Sequence, residues 1–173
     1  MPTPPSAERR PHKINSPHGE RDDFYFWLRD DTRSDPKMLA YIKAENTYKD
    51  SVLAPLKNFE NQIFDEIVNR MKKDDSSVPF LYRGHYYYSR YEKGREYAIH
   101  CRKSGSLEAQ EQVLLDVNEA AIGHEYYSAT FPTPSPDDCW QVFAEDIVGR
   151  RQYSLRFQEM GTGNDLTDRI ENT

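Results

Sequence analysis

Residues 85–102 read HYYYSRYEKGREYAIHCR, and this stretch decides the fold of the second half of the chain. Two segments of β-type composition, 85–91 and 96–102, flank the polar turn 92–95, which contains Gly94. Aromatic and β-branched residues favour strands, and a short glycine-containing turn between two such segments indicates a hairpin. Residues 85–102 are therefore predicted to form an antiparallel β-hairpin.

Similar short segments continue on both sides of the hairpin. They cover 79–83, 112–117, 126–130, 139–146 and 152–159, with turns at 135–138, 148–150 and 161–164. Four strands, a loop and at least three more strands form a meander that repeats after about 45–50 residues, a period typical of propeller blades. Because a blade cannot bury both faces by itself, about two blades make an incomplete propeller, and another strand is expected after residue 173.

Helical spacing precedes the strands. Asp35 can accept hydrogen bonds from free amides at a helix start, and Pro36 fits the first helical turn. Apolar residues then recur at three- and four-residue steps as far as Pro55, which ends this helix or begins the next. The second helix carries an apolar stripe broad enough to pack on another body, formed by Leu56, Phe59, Ile63, Ile67 and Met71.

The N-terminal part is polar except for one run. Residues 1–22 hold five of the prolines and are predicted to form an extended arm. The apolar and aromatic run 24–28 follows, between the acidic pairs Asp22-Asp23 and Asp30-Asp31. The neighbouring sequence offers little apolar surface to cover this run. We therefore expect residues 24–28 to be half of an interface with a part outside this chain.

These patterns predict an α+β fragment in two domains. Residues 1–76 form the arm and two helices, and residues 77–173 form antiparallel β-meanders, about two blades of a seven-bladed β-propeller. The boundary is the polar cluster Asp74-Asp75-Ser76-Ser77, where the helical spacing stops. Only 36% of the residues are hydrophobic while 13% are aromatic, which suits strands with one wet face or a surface made for contact.

Charge and hydropathy exclude several classes of partner. The net charge of −6 argues against nucleic acid and anionic membranes. No apolar run approaches the roughly 18 residues of a spanning helix, and the N-terminus lacks the hydrophobic core of a signal peptide. Cys101 and Cys139 form neither a disulfide framework nor a metal-ligand pattern, so two free, buried thiols in a reducing cytoplasm are expected.

No catalytic, cofactor-binding or metal-binding residue is assigned from the sequence. The nucleophile elbow Gly-x-Ser-x-Gly does not occur, and the histidines at 12, 18, 85, 100 and 124 lack HExxH spacing. His85 and His100 lie on one predicted hairpin, where they either face each other or act as ordinary strand histidines. Gly161-Thr162-Gly163 lacks the third glycine, the lysine and the helix of a phosphate loop, which favours a hairpin turn.

Two further clusters are interpreted as structural. The acidic pairs at 22–23, 30–31 and 74–75 flank boundaries in water, whereas acid/base catalysis needs a partly desolvated cleft. In the run Tyr86-Tyr87-Tyr88, strand alternation puts Tyr87 on one face and its two neighbours on the other. That arrangement favours packing over a stacking platform.

Five motifs resemble the prolyl oligopeptidase family of serine peptidases. They are FYFWLRDD at 24–31, AENTY at 44–48, YYSRYEKGREY at 87–97, LLDVNE at 114–119 and GRRQYSLR at 149–156. The likeness is collinear from about residue 4 to residue 173. Within the family, residues 114–119 and 149–156 are most similar to oligopeptidase B, which cleaves short peptides after Lys or Arg.

The resemblance implies a domain architecture and a separate role for each domain. In the family the arm and helices pack on a C-terminal α/β-hydrolase domain, and a seven-bladed propeller caps the active site and filters substrates by size. The Ser-Asp-His triad and the acidic residues that select Lys or Arg belong to parts absent from this chain. The implied partners are therefore the hydrolase domain, the remaining blades and, in the intact parent, short peptides, with no cofactor. We expect the fragment to be inactive alone.

Two alternatives stay open. A stand-alone binding or regulatory module derived from a propeller would have to protect its open blade edge, because unpaired strands invite aggregation. A fragment of a post-proline peptidase would stay within the same family, and only the hydrolase domain would distinguish it.

Overall fold

The computed structural model describes residues 2–173, so that Met1, the first residue of the predicted arm, lies outside the described residues. The chain divides into two compact units, one ending at Arg70 and the other running from Met71 to Thr173. None of the helices described is long and apolar enough to cross a membrane.

The first unit begins with a hairpin that was not predicted. Strands β1 (Lys13–Ser16) and β2 (Gly19–Asp22) pair antiparallel. The prediction of an extended arm is wrong here because Pro17 lies in the turn between the strands, where it removes no ladder hydrogen bond. Gly19, with φ of 117°, supplies the left-handed conformation that closes the turn.

Two helices complete this unit. α1 (Pro36–Leu53) and α2 (Lys57–Arg70) are separated by a 3₁₀ turn, Ala54–Leu56, that contains Pro55. The predicted cap is confirmed, since the Asp35 carboxylate accepts hydrogen bonds from the Lys37 N–H at 2.7 Å and the Met38 N–H at 3.2 Å. The helix pair therefore begins and divides where the sequence pattern indicates.

The second unit contains two antiparallel sheets. The first has the order β3-β4-β5-β6 and consists of β3 (Phe80–Tyr82), β4 (His85–Arg90), β5 (Ile99–Ser104) and β6 (Glu111–Asp116). A short helix, α3 (Val117–Ala120), leads to the second sheet. That sheet consists of β7 (Ser128–Ala129), β8 (Thr133–Pro134), β9 (Trp140–Asp146), β10 (Ser154–Glu159) and β11 (Asp165–Ile170). β7 and β8 both pair with β9; β10 also pairs with β9, and β11 pairs with β10.

Two successive antiparallel sheets confirm the predicted meander of about two blades. The cores are small: Tyr88, Ile99 and Cys101 form one cluster, and a second consists of Leu115, Val117, Tyr127 and Phe143. Both faces of β4 are covered where the tyrosines lie, because Tyr87 and Tyr88 point to opposite faces and are each less than a tenth exposed. The tyrosine run therefore packs, as strand alternation indicates.

Several local predictions need correction. β5 begins at Ile99 and not at residue 96, because the segment before it forms a loop. Val117 begins α3 and does not extend β6, since the Asp116 carboxylate accepts the Asn118 N–H at 2.9 Å and caps the helix. β11, at residues 165–170, was not predicted, because its largely exposed, charged residues carry no apolar alternation.

The hairpin register excludes one of the two alternatives for the histidines. His85 lies opposite Ser104, and His100 lies opposite Ser89, so the two histidines do not face each other. Of the two free thiols, Cys101 is buried but Cys139 is exposed. Cys139 lies at the turn before β9, where neither sheet covers it.

Candidate functional site: an exposed helix face and a clamped loop

The aromatic run at 24–28 has partners within its own unit. The Phe26 ring stacks on His12 with centroids 3.9 Å apart, and the Arg10 guanidinium lies 4.3 Å from the centre of the Trp27 ring. The Trp27 indole N–H donates to the Glu8 carbonyl at 2.8 Å, and its ring meets Tyr41 edge-on at 6.0 Å. The expectation that this run has little to pack on locally is therefore wrong in part: the arm contacts Phe26 and Trp27, but none of residues 26–28 is buried and Tyr25 is 46% exposed.

The acidic end of the same motif closes the turn before α1. The Asp30 carboxylate accepts from the Thr32 hydroxyl at 2.6 Å and from the backbone N–H groups of Asp35 at 2.8 Å and Ser34 at 2.6 Å. These hydrogen bonds, led by that of Thr32, hold the pKa of Asp30 well below its usual range. The carboxylate is thus a structural acceptor, in agreement with the interpretation of the acidic pairs.

An apolar face of α2 remains uncovered. Its side chains are 41–64% exposed and comprise Leu56, Phe59, Ile63, Phe64, Ile67 and Met71. Scattered apolar residues on a surface need no explanation, but a continuous stripe along one helix is typical of a contact surface. This face is the predicted docking stripe.

The LLDVNE motif clamps the loop between β4 and β5. The Asn118 side chain accepts from the Tyr97 N–H at 2.8 Å and donates to the Tyr97 carbonyl at 2.9 Å. Arg95 binds the carboxylates of Asp116 at 3.3 Å and Glu119 at 2.9 Å. The motif therefore orders residues 95–97 and explains why β5 starts late.

Polar side chains also join the two sheets. Arg102, only 5% exposed, bonds the Gln112 amide oxygen at 2.7 Å and Asp138 at 2.5 Å. Gln141, on the second sheet, donates to the Leu114 carbonyl at 2.6 Å. Sequence reasoning missed these residues; a charged side chain directly after Cys101 in the predicted strand 96–102 was the one signal available.

A second network lies within the second sheet. Arg156 binds Glu145 at 2.7 Å and also contacts Asp165, while the Tyr127 hydroxyl donates to Glu145 at 2.8 Å. Burial, together with the Glu145 carboxylate, raises the pKa of Tyr127 above its usual range. Tyr127 is therefore a protonated hydrogen-bond donor at neutral pH.

The histidines and thiols do not assemble a reactive centre. His100 is buried against Phe131, its Nδ1 lies 2.9 Å from the Ser89 hydroxyl oxygen, and burial lowers its pKa. Burial raises the pKa of the Cys101 thiol to about 12, which keeps it protonated and unreactive. Among residues 2–173 no group of three or more His, Cys, Asp or Glu side chains is arranged to hold a metal ion. Gly161-Thr162-Gly163 forms the predicted turn, since the Gly163 N–H donates to the Glu159 carbonyl.

The fold defines a class: helices with an uncovered apolar face, followed by two blade-like antiparallel sheets. The family model of the prolyl oligopeptidase N-terminal β-propeller domain matches residues 5–173. The chain belongs to the prolyl oligopeptidase family and represents part of its N-terminal propeller domain.

Relatives and solved structures agree with this assignment. The chain is 44% identical to dipeptidyl aminopeptidase BI of Pseudoxanthomonas mexicana, covering 98% of this chain and 26% of that protein. It is 32% identical to protease 2 of Moraxella lacunata, covering 97% of this chain and 25% of that protein. Oligopeptidase B from Leishmania major superposes with a TM-score of 0.90 at 28% identity, covering 99% of this chain and 26% of that one. The chain thus spans about a quarter of the length of these proteins.

Proposed function

We propose that this chain is the arm, helix and propeller-start portion of an oligopeptidase B-like serine endopeptidase that cleaves short peptides after Lys or Arg. Residues 1–76 would pack on a C-terminal α/β-hydrolase domain, and residues 77–173 would supply the first two propeller blades. The observation that carries the proposal is the exposed apolar face of α2 in a chain that covers about a quarter of the length of its relatives.

The physical argument for a partner domain is the free energy that burial of that face would contribute. Each apolar side chain that leaves water contributes about 1.5–3 kcal/mol. Four large apolar side chains on α2, and Leu56 and Met71 at its two ends, are at least 41% exposed, so burying them under a second domain would stabilise the assembly substantially. Lys or Arg specificity rests on the likeness of residues 114–119 and 149–156 to oligopeptidase B.

A peptidase assay tests this proposal. The 173-residue chain is expected to release no fluorophore from Lys- or Arg-terminated fluorogenic peptides, because the nucleophile, its base and its oxyanion groups would all lie on the partner domain. Turnover that a serine-reactive inhibitor abolishes, in protein from a host stripped of its own peptidases, would contradict the assignment. The reading frame downstream of codon 173 provides a second test, since a Gly-x-Ser-x-Gly coding sequence is expected there.

The two alternatives make different predictions. A stand-alone module requires a monodisperse, cooperatively unfolding chain, whereas the proposed portion of a larger enzyme should self-associate through α2. The post-proline alternative is supported only by likeness to structures such as the prolyl endopeptidases, which superpose with a TM-score of 0.72 at 24% identity. That likeness shows the fold alone. A cytoplasmic location, without nucleic acid or membrane partners, is proposed because both cysteines are free.

A further inference from the structure

Pairs of adjacent basic residues occur at four places in the chain, and the structure gives them very different surroundings. The pairs are Arg9-Arg10, Lys72-Lys73, Arg102-Lys103 and Arg150-Arg151. An endopeptidase that cuts after Lys or Arg needs an accessible segment whose backbone can straighten, so exposed and weakly bonded segments are cut first. The hydrogen bonds and exposure of each pair therefore indicate which of them is open to cleavage.

Backbone hydrogen bonds restrain three of the four pairs. One pair lies within β5, between β4 and β6, and its Arg102 is only 5% exposed. In the arm, the Arg10 N–H donates to the Phe24 carbonyl at 2.9 Å. In the turn between β9 and β10, the Arg151 N–H donates to the Asp146 carboxylate at 2.7 Å. Cleavage at these pairs requires the loss of native hydrogen bonds.

Lys72 and Lys73 have no such restraint. They follow directly after the boundary between the two compact units, and neither takes part in a backbone hydrogen bond with any residue from 2 to 173. Both side chains are exposed, and the Lys72 ammonium pairs with the Asp75 carboxylate at 3.1 Å. Because these two side chains are 73% and 54% exposed, the ion pair contributes little to holding the segment. The pair is thus accessible in the folded chain.

The segments on either side set the limits of this accessible stretch. α2 ends at Arg70, and none of its residues is buried, so its last turn can open without uncovering a core. On the other side, the Asp74 carboxylate accepts the Lys93 N–H at 2.9 Å, and the Asp75 carbonyl accepts the Tyr91 N–H at 2.8 Å. The weakly bonded stretch therefore runs from the last turn of α2 to Lys73.

We propose that Lys72-Lys73 is a processing site for endopeptidases of the trypsin class, which cut after Lys or Arg. Hydrolysis adds one water molecule to the amide bond after Lys72 or Lys73. The C–N bond breaks, the water oxygen joins the carbonyl carbon to give a new C-terminal carboxylate, and the two water protons pass to the nitrogen to give a new N-terminal ammonium. The cut separates the part that carries both helices from the part that carries both blade sheets. The proposal goes beyond the function proposed above, because here the chain is the substrate.

Limited digestion of the 173-residue chain with trypsin, followed by intact-mass measurement at successive times, tests the proposal. The first products are expected to be residues 1–72 or 1–73 together with the matching remainder that ends at residue 173. First cuts after any other Lys or Arg overturn the proposal.

Matched variants assign the cut to this pair. Lys72→Gln with Lys73→Gln is expected to slow the disappearance of the full-length chain at least about ten-fold, because a neutral side chain cannot pair with the acidic specificity pocket of trypsin. Arg150→Gln with Arg151→Gln removes the same charge from a restrained pair and should leave the time course unchanged. Equal rates for the wild-type chain and the lysine variant, or slowing in the arginine variant alone, overturn the assignment. Circular dichroism reports whether each variant is folded, and neither measurement uses peptidase activity of this chain.

Discussion

Asp146 organises the turn between β9 and β10. It is only 2% exposed, and its carboxylate accepts the N–H groups of Val148 and Gly149 at 2.9 Å each and of Arg151 at 2.7 Å. These hydrogen bonds, led by that of Val148, lower its pKa from the ordinary 3.8. Gly149, with φ of 77°, and Arg151, with φ of 57°, adopt left-handed backbone conformations around it.

The lowered pKa predicts a pH dependence. A carboxyl whose pKa is depressed by folding stabilises the native state above its unfolded pKa, and this contribution is lost as pH falls through the folded pKa. Asp146→Asn is therefore expected to lower the free energy of unfolding at neutral pH, with the difference from wild type shrinking below about pH 4. Urea denaturation at several pH values measures it. Asp168→Asn, at an exposed position on β11, serves as the control; a difference independent of pH would contradict the role of the charge.

Glu145 provides a second prediction at this scale. Its side chain is 8% exposed and that of Arg156 is 15% exposed, so replacing the carboxylate leaves a largely buried guanidinium with Asp165 as its remaining acidic partner. Glu145→Gln is expected to cost about 2 kcal/mol in the free energy of unfolding. Glu92→Gln, in an ion pair whose carboxylate is 44% exposed, should cost less than about 1 kcal/mol.

A double-mutant cycle separates charge from packing in this network. In an Arg156→Met background, Glu145→Gln should cost distinctly less than in the wild-type chain, because no buried charge is then left without its partner. Equal costs in the two backgrounds would show that the ion pair is not the source of the effect.

At the scale of the elements, α2 forms a helix although its apolar face packs on nothing within the described residues. Its sequence is amphipathic, yet none of its residues is buried. Helices of this length are marginal in water by themselves, and most of their stability in proteins comes from burial of the apolar face. The helix therefore carries a surface suited to a second body, which is the basis of the proposed hydrolase-domain contact.

Charging this face gives a prediction. Phe64 and Ile67 are 64% and 56% exposed, so Phe64→Lys with Ile67→Lys should change the free energy of unfolding by less than about 0.5 kcal/mol. The same variant should bind less of a hydrophobic dye and self-associate less in sedimentation experiments, because the apolar stripe is interrupted. Asn58→Lys with Asn69→Lys adds the same charge to the polar face and should change neither. Loss of helicity only in the first variant would contradict a solvent-exposed face.

For the whole molecule, the two units carry different kinds of surface. The unit from Met71 onward contains both small cores, whereas the one ending at Arg70 contains the exposed face of α2. A chain of residues 76–173 is therefore expected to give a soluble yield comparable to that of the 173-residue chain, since the apolar stripe is removed while the two cores are kept. Expression of both chains side by side measures this. A collapse in yield for 76–173 alone would show that the first unit protects the sheets.

Local signals account for the parts that were predicted correctly. The start of α1 depends on Asp35 and Pro36, which act within three residues of each other. The blade strands depend on β-type segments and glycine turns, as at Gly94 and Gly163, and these also act over a few residues. β1, β2 and β11 were missed because their charged, exposed residues show no apolar alternation.

The sequence by itself determined α1 and α2, most of the strands, the absence of a nucleophile elbow and the family. Only the tertiary structure decided that the arm contacts Trp27, that His100 lies opposite Ser89, and that Asn118 holds Tyr97. The contacts of Trp27 and Asn118 join residues about 20 positions apart in the chain, and the opposition of His100 and Ser89 depends on the hairpin register. Their formation depends on backbone geometry and burial, which residue spacing along the chain does not encode.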